Sequence, residues 1–259
     1  MLGAIVGDVI GSPFEHANVK STAFRLFDRS AQYTDDSVLT VATADALMNG
    51  GDYATAYQNY FHRFPNAGYG GQFVVWANRR LTRPYNSWGN GSAMRSSPVG
   101  WARDTLDDVL DEAERTAIVT HDHPEAVKGA QAVAACVFLA RTEKSGERIR
   151  QFVHDGCGYP LDRSIDEIRP GYEFDVSCKG TVPVAVQAVL ESNDFENAIR
   201  LAVSVGGDSD TIASIAGAIA HALYGGVPKH LLDPVLNIYL SPDLADMSRE
   251  FCERFGVPL

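Results

Sequence analysis

Two short acidic stretches, Thr34-Asp35-Asp36 and Asp208-Ser209-Asp210-Thr211, stand far apart in a chain of 259 residues, and each opens onto an apolar helical pattern. N-capping explains one such acid per helix. Asp, Ser and Thr accept hydrogen bonds from the free N–H groups of a first turn, and negative charge there suits the helix dipole. Capping does not explain a pair at each start, with a threonine beside each pair and Gly206-Gly207 ahead of the second. The other reading is that the two starts converge. Four carboxylates brought together repel one another and give up their protons only at a cost, which a divalent cation removes. The donors would be Thr34, Asp35, Asp36, Asp208, Asp210 and Thr211, all oxygens, a set that favours Mg²⁺ or Mn²⁺ over Zn²⁺. Six exceed what one Mg²⁺ usually takes from protein, whereas two ions about 3.5–4 Å apart would use them. Spacing alone leaves capping and convergence both open.

Other segments carry weaker chemistry. Gly89-Asn90-Gly91-Ser92-Ala93-Met94-Arg95 allows close backbone approach to an anion, with Arg95 to add charge, but it also fits an ordinary Asn-Gly turn. It lacks the Gly-Lys-Ser/Thr ending of a Walker A loop. Tyr69, Tyr85 and Trp88 in nearby polar loops could stack on a base or simply cover the core edge. His121-Asp122-His123-Pro124 is a sound helix start, and His121 is better read as facing a substrate than as a metal ligand. Glu15, after a Gly/Pro turn, could act as a mobile base; in isolation it reads as a solvated surface acid.

The elements that must position these groups are helices. Apolar spacing predicts helices over 36–49, 124–141, 182–191, 194–205, 211–224, 231–239 and 244–255, while period-2 alternation is nearly absent, so few or no strands are expected. Frequent Ala, Gly and Ser on the apolar faces suit closely approaching helix axes. With 45% hydrophobic residues and no linker-like tract, residues 1–259 read as one all-α domain. The formal charge of −11, with no long run of Lys and Arg, disfavours nucleic-acid binding and anionic membranes. Cysteines 136, 157, 178 and 252 form no CxxC pair, which disfavours a thiolate zinc site; Cys136 reads as a core residue. No stretch reads as a leader or a bilayer span, so a cytoplasmic location is expected.

Taken together, GAIVGDVIGSPFE (3–15), YTDDSVLTVA (33–42), GNGSAMR (89–95), THDHPEAVKGAQAVA (120–134), SCKGTVPVAVQAVLES (177–192) and AVSVGGDSDTIASIAGAIAHALYG (202–225) resemble the ADP-ribosylglycohydrolase family, which includes the dinitrogenase reductase-activating glycohydrolases. The pairing of TDD with GGDSDT is highly specific. The resemblance implies a compact many-helix fold around two Mg²⁺ or Mn²⁺ ions and hydrolysis of the glycosidic bond between ADP-ribose and an acceptor, on a protein or a small molecule. By matching positions, Thr34, Asp35, Asp36, Asp208, Asp210 and Thr211 look like the ligands. Glu15 matches the acid on a mobile segment and stands with Asp36 as catalytic. Gly89, Asn90, Gly91 and Ser92 match the loop for the diphosphate or distal ribose, and His121 a histidine of the ADP-ribose pocket. Tyr172 is the first candidate for stacking adenine. One departure touches specificity: where some arginine-directed relatives carry an acid ahead of the glycine loop, this chain has Asn86, Ser87 and Trp88. A crystallin-like structural role or an ADP-ribose-binding module are the alternatives, against which the retained acidic donors count.

Overall fold

The first helix, Leu2–Gly11, carries glycine at every fourth position, and that spacing sets how the centre of the molecule is built. In the computed structural model, which describes residues 1–259, a Cβ added at Gly3 would lie 2.1 Å from the Gly217 carbonyl oxygen. One at Gly7 would lie 2.0 Å from that of Ala213, and one at Gly11 2.6 Å from the Asp210 Cα. This edge of the helix therefore packs backbone against backbone on the Ser209–Tyr224 helix, closer than any side chain permits. The contact runs up to the N-terminal end of the 209–224 helix and delivers Asp8, and the chain that follows Gly11, to the second acidic stretch.

The Ser209–Tyr224 helix is mostly apolar beyond its first turn, and every residue from Ser209 to Ala222 is buried. Such a helix has no solvent face and must be enclosed. Leu2–Gly11, Phe195–Ser204, Cys178–Glu191 and Pro124–Glu143 pack around it, and a single apolar cluster of 74 buried residues runs through all of them. The Asp35–Asn49 helix lies against the first helix, starting at the Thr34 cap and ending at Gly50 with φ +60°, a left-handed terminus that glycine adopts without strain.

The all-α expectation holds: there is no sheet, only an isolated antiparallel bridge between Gly89 and Ser177. Most predicted helices differ at their ends by one or two residues. Two differ more. The Cys178–Glu191 helix begins four residues before the apolar pattern and runs through Pro183, and the 231–239 segment divides into Lys229–Pro234 and a wider turn over Val235–Tyr239. Additional helices at Tyr53–Arg63, Gly71–Asn78 and Leu106–Ala117 lie where no helix is predicted from spacing. Cys136 is buried, and all four cysteines are free thiols. No helix is long and apolar enough to cross a membrane.

Candidate functional site

The two acidic helix starts meet. Thr34, Asp35, Asp36, Asp208, Asp210 and Thr211 line one end of a cleft of about 560 Å³. Thr34 behaves as a cap, its Oγ1 accepting from the Asp36 N–H at 3.3 Å. Asp208 holds the cap position of its helix but makes no side-chain cap bond. Its Oδ2 instead accepts from Asn90 Nδ2 at 2.7 Å. Capping and convergence are thus both realised, the first by a threonine and the second by the carboxylates. Thr211 Oγ1 joins the two starts by donating to Asp36 Oδ2 at 3.2 Å.

Carboxylate oxygens of Asp8, Asp36 and Asp210 lie within 4.8 Å of one another, and so do those of Glu15, Asp208 and Asp210. Asp210 belongs to both trios. Asp35 belongs to neither; it keeps part of its surface open to the cleft, with its N–H donating to the Ala67 carbonyl at 2.7 Å. Burial is the largest cause of the raised carboxyl pKa values of Asp35, Asp36 and Asp210, and neighbouring negative charge is the next. Asp35 is pushed up to about 8, and Asp36 and Asp210 well above the usual carboxylate range. Asp36 Oδ1 is buried without a hydrogen-bond partner, a costly arrangement for an acceptor. An oxygen-only donor set, an orphaned buried carboxylate oxygen and mutual repulsion together fit hard divalent cations.

Asp8 was not singled out by spacing, yet it is the most fully hydrogen-bonded acid of the group. It accepts from the Thr34 N–H at 2.9 Å, the Thr34 hydroxyl at 2.7 Å, the Ser37 N–H at 3.1 Å and the Ser37 hydroxyl. Burial pushes its carboxyl up to about 6 while these donors hold it down. The available signal was an acid inside the otherwise apolar 2–11 run. Because the Thr34 hydroxyl proton goes to Asp8, the threonine's lone pairs remain for the Asp36 N–H and the cleft.

Glu15 sits just beyond the short Ser12–Phe14 turn, with its side chain 30% exposed and its pKa raised, chiefly by burial. Asn18 anchors this segment: its Nδ2 donates to the Phe14, Glu15 and Gly207 carbonyls, and its Oδ1 accepts from the Gly207 N–H at 2.8 Å. Gly207 has φ +72°, and a Cβ there would lie 2.6 Å from Tyr172 Cε1. The Gly206-Gly207 pair therefore serves the turn and the packing against Tyr172.

At the other end of the cleft, Gly89, Asn90 and Gly91 face His121, whose Nε2 would lie 3.1 Å from a Cβ on Gly91. The Asn90 side chain points inward, donating to Thr181 Oγ1 as well as Asp208, and the Gly89 and Asn90 N–H groups donate to Ser87 Oγ at 3.1 Å and the Val176 carbonyl at 2.8 Å, so the Gly91 N–H is the donor this loop leaves for a ligand. Ser92 and Tyr172 do not line the cleft. Ser92 is fully buried, its hydroxyl donating to the Ala126 carbonyl at 2.8 Å, and the Tyr172 hydroxyl donates to the Gly180 carbonyl. The exposed aromatic on the cleft wall is Phe174, 53% accessible, two residues beyond Tyr172. Of the loop aromatics, Tyr85 lines the cleft beside His121, whereas Tyr69 stacks on Phe73 and Trp88 lies outside the cleft.

The family model for ADP-ribosylglycohydrolase matches residues 1–258. The chain is 30% identical to the ADP-ribosylarginine hydrolase Tri1 of Pseudomonas putida, over 91% of this chain and 72% of that protein. It is 26% identical to the human ADP-ribosylhydrolase ARH3, over 87% of this chain and 84% of that one. A solved ADP-ribosylglycohydrolase-related protein complex shares the fold with a TM-score of 0.71 at 23% identity, covering 97% of this chain and 96% of that one.

Proposed function

Because the chain belongs to the ADP-ribosylglycohydrolase family, we propose that it hydrolyses the glycosidic bond between the distal ribose of ADP-ribose and an acceptor, with two Mg²⁺ or Mn²⁺ ions. The observation that carries this reading is the pair of carboxylate trios sharing Asp210. One ion would be held by Asp36, Asp210 and the threonine oxygens, the other by Asp208 and Asp210, with Asp35 offering its carboxylate from the open side and Glu15 standing beside the second ion as the base. When bound, the ions supply Lewis acidity and fix the ribose hydroxyls.

The chain's own groups do the rest. Asp8 orients Thr34, and Asn90 holds Asp208, so both donors are set before any ligand arrives. Glu15, whose pKa is raised chiefly by burial, accepts the proton of the attacking water as the water oxygen bonds to C1 of the ribose and the C1–acceptor bond breaks, and a proton passes to the departing acceptor. The Gly91 N–H and His121 receive the diphosphate where the Gly89–Gly91 backbone allows close approach, and Phe174, rather than Tyr172, offers its face to the adenine. Tri1 is named as an ADP-ribosylarginine hydrolase; in this chain Asn86, Ser87 and Trp88 precede the glycine loop, so arginine and serine linkages are both substrates to try.

The test is a panel of ADP-ribosylated peptides incubated with each metal and read by release of free ADP-ribose. Metal-dependent release from at least one linkage is expected. Binding of ADP-ribose without any turnover would leave a binding module, and neither binding nor turnover would leave a structural protein.

A further inference from the structure

Arg95 is completely buried, and no carboxylate pairs with it. Its Nη2 donates to the Thr116 carbonyl at 2.9 Å and to Thr120 Oγ1 at 2.7 Å, and its guanidinium lies 4.1 Å from the centre of the Tyr57 ring. Its Nε and Nη1 have neither partner nor access to solvent. A buried cation left this way is costly and needs a reason. Arg95 borders the cleft but has no exposed surface, so its N–H groups are not offered to a ligand.

The reason lies one hydrogen bond further on. Thr120 Oγ1 stands 2.7 Å from His121 Nδ1. A guanidinium only donates, so the Thr120 oxygen accepts from Arg95, and the single hydroxyl proton of this fully buried threonine is left for Nδ1. Nδ1 is its nearest acceptor, and the Tyr85 hydroxyl, which also neighbours it, has a proton of its own to donate to the threonine oxygen's second lone pair. An accepting Nδ1 requires the imidazole proton on Nε2. Nε2 itself has no partner in the protein and faces the cleft against Gly89 and Gly91.

We propose that Arg95 and Thr120 are positioning residues that lock His121 in its Nε2–H tautomer, so that a neutral imidazole presents one fixed donor to an anionic group, a phosphate of the ligand, seated beside Gly91. The inference rests on the proposed function for the identity of that anion, but the tautomer does not. The same direction follows from electrostatics: burial and the Arg95 charge hold the His121 pKa well below its ordinary value. The cation thereby acts on the site without occupying it, and its field adds to the attraction for an anion.

The experiment reads the tautomer and the affinity separately. Nitrogen-15 NMR of histidine-labelled protein, without ligand or metal, should show His121 with protonated Nε2 and unprotonated Nδ1. Thr120→Val keeps the shape and removes the hydroxyl; it should give mixed tautomers and bind ADP-ribose about tenfold more weakly, the effect of one lost oriented hydrogen bond. Thr120→Ser should restore the single tautomer, and Arg95→Lys should shift the population with the fold intact by circular dichroism. A wild-type His121 protonated on Nδ1, or Thr120→Val retaining the pure Nε2–H form, would overturn the proposal. A locked tautomer in a protein that binds inorganic pyrophosphate but not ADP-ribose would uphold the relay and sink the functional reading instead.

Discussion

The two ends of the cleft bury opposite charges by opposite means. At one end, carboxylates from two helix starts crowd together, and the pKa values of Asp35, Asp36 and Asp210 are raised first by burial and then by mutual repulsion. At the other end, one buried guanidinium stands behind a neutral imidazole and a glycine loop. The acidic end is set up to receive cations directly; the basic end acts through intermediates and offers only N–H donors. A ligand with a diphosphate and a hydroxylated sugar matches both, provided cations join the sugar to the acids. The contrast teaches that a buried charge becomes useful here by what it holds in place: Asp8 holds Thr34, Asn90 holds Asp208, and Arg95 holds Thr120.

The strongest way to break this contrast is at the acid shared by both trios. Asp210→Asn should abolish uptake of both ions, measured by metal analysis and by anomalous scattering, and lower turnover by a factor on the order of 10⁴ or more, since several kcal/mol of charge stabilisation would go with the cations. Full metal occupancy in that variant would show that Asp210 is no shared ligand. Glu15→Gln should cost about 10²–10⁴ in turnover while ADP-ribose affinity by calorimetry changes less than about threefold, the signature of a group acting in the transition state. If it lost metal as Asp210→Asn does, Glu15 would be a ligand first and not a base.

Stability should separate the ends as well. Asp8 at about 6 and Asp35 at about 8 hold protons in the folded chain that the unfolded chain releases near pH 4. The folded state then binds more protons than the unfolded one across that window, so stability is greatest below about pH 4 for these groups and falls as pH rises through 6 and 8. Without divalent ions the melting temperature should drop from pH 5 to pH 8.5. Saturating Mg²⁺ or Mn²⁺ should raise it and flatten the slope by binding the ionised form. A metal-free profile that rises over this range would contradict the crowded-acid picture. The smallest effect belongs to the rim: Phe174→Ala should weaken ADP-ribose binding by a few-fold, roughly 1 kcal/mol of lost stacking, with Tyr172→Phe near wild type. The reverse order would return the adenine to Tyr172.

Sequence alone determined much of this protein. The 3.6-residue apolar period marks most of the long helices and excludes a sheet, because that period is a local property of the chain. The residue types of the acidic stretches point to hard cations for the same local reason. Only tertiary structure decided that the two starts meet, since no spacing within either stretch encodes a contact across more than 170 residues. It also decided what each side chain faces. Asp8 reads as one acid in an apolar helix until Gly3, Gly7 and Gly11 bring that helix against the 209–224 backbone. Asn90 and Ser92 read as part of a ligand loop, yet both turn inward to bonds available only in the folded molecule. Tyr172 is the stacking candidate in sequence, yet Gly207 packs against its ring, and Phe174 two residues on is the aromatic at the cleft. Composition and period are carried by neighbours along the chain; the direction of a side chain is set by neighbours in space.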